Sequence, residues 1–350
     1  MMCRLIRRML AVGLALATIA PLAAQAPLRL RLATLAPENS PWHTALADMG
    51  SAWNKATAGR VVLTIFPGSS IASESSAIAK MNPAVDGLQA ATLTVSGLGE
   101  IDNAFNVFGM PFFFQSDAEL EDIQAKLTPM LSSRLEARGY HLINWGNAGW
   151  VQLFSKMPIR TLQDAKQAKL YTTEGEPRTV QWYTQNGFHA VPLKQSEIPA
   201  QLKSPTGSIN AAPSPPYFAL ALQFYRDAPY MLDLRVAPLT SATVITDRAW
   251  AQISADDRTK MLAVATMTQK KIQTDAPALD ANAIRDMKDS TKAAKVPFQV
   301  ITLNASAAAQ FRAEADRMTA SQRGMLVPDD VFDAAMKERT AFRQATATAR

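Results

Sequence analysis

The feature that most limits how this chain can fold is the recurrence of short apolar runs between longer stretches of helical period. Leu28, Leu30 and Leu32 alternate with Arg29 and Arg31, the two-residue period of a strand whose successive side chains point to opposite faces. Pro37 to Pro41 then punctuate the chain, and Trp42, Leu46, Met49 and Trp53 follow at helical spacing. A second strand reads over 61–66, closed by Pro67-Gly68. The order repeats: a helix near 73–81, a strand near 88–95, a helix over 117–138, a strand over 141–145. Such alternation predicts an α/β fold, a mainly parallel sheet covered by helices on both faces.

A second unit begins after Gly146, with strands near 150–154 and 169–172, a helix over 177–186 and another around 198–202. Over 234–246 the apolar strand pattern returns, where the chain crosses back. Ser254, with Asp257 three residues on, opens a long helix carrying Met261, Leu262, Ala265 and Ile272 on one face and a kink at Pro277. Further helices fill 305–318 and 329–342. After the N-terminal segment about 320 residues remain, more than one core usually organises. The expected division is 27–147 with about 235–253 as domain I, 148–234 with about 293–345 as domain II, and a connecting helix over about 254–290. Two α/β lobes joined by more than one crossing make a hinged clamp that closes on a ligand between them.

The N-terminus has Arg4, Arg7 and Arg8 without an acid, an apolar run over 9–19, and Ala24-Gln25-Ala26. This is the pattern of a secretory signal peptide, residues 1–26, with an A-x-A exit. Cleavage after Ala26 would leave Pro27 first, so a cut slightly earlier stays open. The apolar run is short of the roughly 20 residues that span a bilayer. The single cysteine, Cys3, precedes it and leaves with the signal, so the mature chain has no disulfide, thiolate metal site or cysteine nucleophile. Removing the three arginines takes the formal charge from +6 to +3. The basicity is largely the signal's, and no nucleic-acid partner is implied.

Against this background the residues resemble a known family, the DctP-type solute-binding proteins of TRAP transporters. The resemblance runs through Ala33-Thr34-Leu35-Ala36-Pro37, Gly59-Arg60-Val61, Phe66-Pro67-Gly68, Lys80-Met81, Gly87-Leu88-Gln89 and Pro111-Phe112-Phe113-Phe114. It continues through Ser155-Lys156-Met157-Pro158-Ile159, Lys169-Leu170, Pro192-Leu193, Ser196-Glu197-Ile198 and 253–258. No piece decides alone; their order and spacing do. The resemblance implies a two-domain periplasmic-binding-protein clamp of type II-like form, hinge crossings, and a long domain-spanning helix. It further implies a periplasmic location and delivery of a small molecule to TRAP membrane permease subunits.

The chain departs from that family where ligand charge is read. An arginine follows the Lys-Leu pair in most members and grips a carboxylate; here the position is Tyr171, and a phenol cannot reproduce a bidentate guanidinium. A second arginine of some members matches Val151, beside Trp150. The resemblance transfers Leu35, Leu93 with Thr94, Gln195 and Ser214 to the cleft, and Trp42, Trp150 and Tyr217 join them. These residues suit an apolar or neutral ligand, because an unpaired carboxylate there would be costly to bury. Two readings of Arg178 stand: a replacement cation turned inward, or a solvated helix residue pairing with Glu174 or Glu176. A branch of the family with an apolar pocket, working with a helical-repeat periplasmic protein, is the closer likeness.

No cofactor or metal is implied. His43, His141 and His189 are scattered, Gly97-Leu98-Gly99 lacks the third glycine of a dinucleotide fingerprint, and nothing pairs a nucleophile with a base. Phe105, Phe108 and Phe112–Phe114, with Trp53 and Trp250, read as core, while Trp42, Trp145 and Trp150 are open between pocket and core. The rival to a transport receptor is a periplasmic carrier of a lipid or hydrophobe uncoupled from any permease.

Overall fold

The computed structural model describes residues 26–85 and 87–348, so the expected signal segment, apart from Ala26, lies outside the described residues. The first half holds β1 (Leu28–Thr34), α1 (Pro41–Ala56), β2 (Val61–Phe66), α2 (Glu74–Lys80), β3 (Ala90–Thr94), α3 (Val95–Ile101) and α4 (Asp117–Glu136). Strand β4 (Tyr140–Ser155) leads out of it. The second half holds α5 (Leu162–Gln167), β5 (Lys169–Thr173), α6 (Pro177–Gln185), β6 (His189–Leu193), α7 (Ile198–Lys203), β7 (Ala211–Ser214) and α8 (Pro216–Ala221). Strand β8 (Tyr230–Thr246) returns, followed by α9 (Asp247–Ala251), α10 (Ala255–Ser290), β9 (Gln299–Ile301), α11 (Ala305–Ala320) and α12 (Asp329–Thr348).

Among the described residues the strands join in one sheet, β2-β1-β3-β8-β4-β7-β5-β6, with β9 beside the start of β8. The expected parallel pairing holds within each half, where β1 pairs with β2 and β3, and β5 with β6 and β7. The centre is antiparallel: β4 and β8 run together from Tyr140 opposite Thr246 to Ser155 opposite Tyr230 and so belong to both halves. The break expected after Gly146 does not occur. The chain absorbs its small residues there as register shifts between Asn147 and Trp150 and between Val151 and Leu153, the extra-residue kinks that bend a strand without ending it.

Helix α10 lies across both halves. Ser254 caps it by accepting from the Asp257 N–H, and Asp257 is held by Arg60 through two hydrogen bonds of 2.6 and 2.8 Å. The helix continues through Pro277, which removes one internal bond. Three residues on, Asp280 accepts from the Tyr217 N–H at 3.1 Å and crowds Gly149, whose φ of 93° and lack of Cβ let β4 pass beneath.

Both faces of the first half are packed. Leu30, Leu32, Met49, Trp53 and Met261 fill one, and Leu93, Phe105, Phe108, Phe113, Leu131 and Phe332 the other. Trp53 and Trp250 are core as expected, whereas Phe112 is half-buried with φ 57°. Phe154, Leu202, Phe224 and Phe298 form a smaller cluster in the second half. Helix α12, grouped with the second domain from sequence, packs on the first half instead: Val331, Phe332 and Ala335 complete the Phe105 cluster, and Arg343 reaches the buried Glu119 at 2.6 Å and the Phe113 carbonyl at 2.9 Å.

Candidate ligand-binding cleft

Strand register builds the floor of a cleft between the two halves. Thr34 lies opposite Thr92, Thr92 opposite Thr243, and Thr243 opposite Asn144, so one row crosses β1, β3, β8 and β4. Thr94, Ser241 and Gly146 form the next row, two residues along and on the same face. All of these residues line one cavity of about 750 Å³. The hydroxyls of Thr92 and Thr243 bond each other at 3.0 Å.

Aromatic packing builds one wall. Trp42 stacks on Phe218 with centroids 4.7 Å apart and meets Tyr217 edge-on at 4.8 Å. Leu35, Leu46, Ile71 and Ile272 extend this apolar surface. Tyr171 and Thr173 of β5, Gln195, Val151 of β4 and Ser214 of β7 face it from the second half.

Of the residues singled out from sequence, Leu35, Trp42, Thr94, Val151, Tyr171, Gln195 and Ser214 therefore meet at one cavity. Four others stand elsewhere. Leu93 occupies the opposite pleat from Thr94 and packs in the Phe105 cluster. Trp150 alternates with Val151 in the same way: its indole donates to Asp117 at 3.0 Å, and the Arg235 guanidinium covers its ring at 5.3 Å. Tyr217 backs Trp42 without joining the lining. Arg178 is exposed on α6, away from the lining, which favours its solvated reading. Among the three open tryptophans only Trp42 reaches the cleft; Trp145 is core, its indole bonded to Thr128 at 3.0 Å.

The charges of the lining are mostly negative. Glu38, Glu74, Glu100 and Glu174 face Lys194, the one basic residue among the described lining residues. Glu74 is buried and accepts from the Thr94 N–H at 2.6 Å, the Thr94 hydroxyl at 2.7 Å and the Gly97 N–H at 2.9 Å. A Cβ on Gly97 would collide with that carboxylate. Burial nevertheless pushes Glu74 up to about 7, against those donors, and nearby Glu176 adds to the rise. Glu176 is itself raised, by burial first. Burial likewise lifts the Tyr171 hydroxyl to about 12, with Glu176 and Glu74 contributing, so it stays a neutral phenol at any physiological pH.

Sequence reasoning missed Glu74, Asn144, Thr243, Ser241, Phe218 and Ile272. Alternating Thr92 and Thr94 carried a usable signal, a polar face on an otherwise apolar strand. Asn144 carried none. Among the described residues no group of three or more His, Cys, Asp or Glu is placed to hold a metal ion, and no helix is long and apolar enough to cross a membrane.

Two α/β lobes sharing antiparallel crossing strands, a spanning helix and a cavity between them define a solute-binding clamp. Residues 32–323 match the DctP family, described as "Bacterial extracellular solute-binding protein, family 7", and the chain belongs to that family. A solute-binding protein of Roseobacter denitrificans is 23% identical over 269 residues, covering 74% of this chain and 80% of its own. The fold matches a TRAP periplasmic solute-binding protein of Ochrobactrum anthropi with a TM-score of 0.77 at 18% identity, covering 92% of this chain and 98% of that one. It matches a TRAP protein of Xanthobacter autotrophicus bound to β-D-galacturonate with a TM-score of 0.76 at 19% identity, covering 89% and 99%. DctP7 of Bordetella pertussis, a receptor binding pyroglutamic acid, gives a TM-score of 0.77 at 18% identity and the same coverage. The chain is a substrate-binding receptor and not an enzyme.

Proposed function

We propose that the protein is the periplasmic receptor of a TRAP-type transporter, exported by a cleaved signal over 1–26, that delivers an uncharged, largely apolar ligand to membrane permease subunits. A helical-repeat periplasmic protein is a further partner in this reading. The observation that carries the ligand class is the pairing of Tyr171 and Val151 on the cleft wall with a surplus of carboxylates around it.

The galacturonate and pyroglutamate of the structural relatives are acids, and an acid needs a cation to replace its lost hydration. Here Tyr171 and Val151 supply none, and Arg178 is exposed outside the lining. A carboxylate would also sit against Glu74, Glu100 and Glu174 with only Lys194 to offset them. Leu35, Trp42, Phe218 and Ile272 offer an apolar body a dry surface.

Mass spectrometry of material extracted from freshly purified protein tests this reading. A neutral amphiphile is the expected product. Recovery of a small dicarboxylate, or binding abolished by Arg178→Ala and kept by Tyr171→Phe, overturns it.

A further inference from the structure

We propose that the cleft is latched on its α2 and α3 side by acids of both halves, Glu176 of the second against Glu74 and Glu100 of the first, so that the lobes close with proton uptake and part as pH rises. The latch acts on closure and does not depend on the class of ligand.

Two contacts join the halves across the cavity. On the face of α1 and α10, Trp42 stacks on Phe218, an apolar contact with no charge to titrate. On the opposite face, where α2 and α3 pack through Ala77, Met81 and Leu98, the turn after β5 comes up against the first half. Gly175 stands in that turn with a φ of 91°, and a Cβ on it would lie 3.7 Å from the Ser75 hydroxyl oxygen. Ser75 in turn donates to Glu100 at 2.5 Å. The next residue of the turn is Glu176, which faces Ser96 and Glu100 of α3 and Glu74 of α2.

Three carboxyl groups from two halves thus share one seam without a counter-ion. Among the described residues no Lys or Arg is paired with any of them. Glu74 is provided for by its own half, through the Thr94 and Gly97 donors. Glu176 is not: its Oε1 is buried and has no hydrogen-bond partner among the described residues. The hydroxyls of Ser96, Thr179 and Thr173 favour its charged form, yet burial outweighs them, and Glu100 opposes that form too. Its other titratable neighbours, Tyr171 of β5 and Tyr183 of α6, are buried phenols that feel the same negative charge. Glu174 and Lys194 line the cavity beside the turn, both exposed to water, as is Arg178.

Closed lobes hold Glu176 against two other acids, and parted lobes return it to water. A carboxyl group whose pKa is higher in the closed form takes up a proton on closing, so closure is favoured at low pH and lost as pH rises. Glu74, at about 7 in this seam, marks the upper end of the window, and the ordinary glutamate value of 4.5 the lower.

The distance between the halves tests this without any ligand. Cys3 is the only cysteine and falls in the expected signal, so Glu121→Cys on α4 and Lys203→Cys on α7, both at exposed positions, place one spin label on each half of the mature chain. Double electron–electron resonance after exhaustive dialysis is expected to show a ratio of short to long distances about 5- to 10-fold higher at pH 5.5 than at pH 8. Glu176→Gln, of the same size and always neutral, is expected to cut that response below about 2-fold, and Glu100→Gln to weaken it less; a melting curve for each checks the fold. Identical distances at the two pH values in the protein without these changes overturn the latch, as does a short population that grows at pH 8. A response kept in full by both Glu176→Gln and Glu100→Gln overturns it equally, by placing the titration elsewhere, as at Asp280 beside Tyr217.

Discussion

Strand β1 in the first half of the sheet and strand β6 at the far edge of the second are of similar length and differ in their surroundings. Leu30 and Leu32 of β1 are wholly buried between α1 and the rest of the first half, whereas β6 has no fully buried residue. The first half is thus covered on both faces and closed by the C-terminal helix α12 on α4. The second half ends in a thin edge whose β5 turns Tyr171 toward the cleft. The difference follows from place in the sheet: β1 is paired on both sides, by β2 and β3, whereas β6 is an edge strand held by β5 alone, so a change at β6 is expected to cost the fold less than one at β1.

The largest expected effect lies in the deep half. Trp53 is among the largest fully buried side chains, and its indole donates to the Met261 carbonyl at 3.0 Å, tying α1 to α10. Trp53→Ala removes that bond and opens a cavity, an expected loss of about 3–5 kcal/mol. Urea unfolding measures it, and a loss under about 1.5 kcal/mol would mean that the first half relaxes as easily as the second.

Next comes an effect at the seam between the halves. Glu74 is raised to about 7 from an ordinary 4.5, so between those values the folded chain holds a proton that the unfolded chain has released. Stability from this group is present below about 4.5 and is lost as pH rises through about 7, by on the order of 3 kcal/mol. Asp280, lifted to about 6 chiefly by burial, slopes the same way. Glu314 is held down to about 2 by Arg317 and Lys166 and acts oppositely, losing its contribution as pH falls below 4.5. Thermal melting should accordingly peak near pH 5. Glu74→Gln should flatten the decline toward pH 8, leaving the part due to Asp280. An unchanged slope in Glu74→Gln would place the titration elsewhere.

Much of this architecture was legible because periodicity is a local property. Alternation at Leu28–Leu32 located β1, and the Ser254–Asp257 pair located the start of α10. What was missed depends on three-dimensional company. Gly146 reads as a break because a sequence does not distinguish a bulge from a turn, and only the facing Ser241 of β8 shows that the strand continues. The stripe of Val331, Phe332 and Ala335 predicts a buried helix face but not which surface it covers. Leu93 and Trp150 missed the cleft by one residue: family spacing identified the right segments, while the pleat gave the cavity to Thr94 and Val151. Glu176 reads from sequence as a partner for Arg178, and only its buried carboxyl oxygen, without a hydrogen-bond partner among the described residues, sets it apart.

The smallest expected effect tests the shallow half directly. Val191 of β6 lies opposite Tyr171 in register and packs, half-buried, on the second-half cluster. Val191→Ala deletes two methyl groups that already meet solvent in part, so the expected loss is about 1 kcal/mol or less. Urea unfolding alongside Trp53→Ala gives the contrast under one set of conditions. A loss above about 2 kcal/mol at Val191 would exceed what its burial accounts for. It would mean that β6 is held as firmly as β1, and that Tyr171 sits on a rigid wall instead of an adaptable edge.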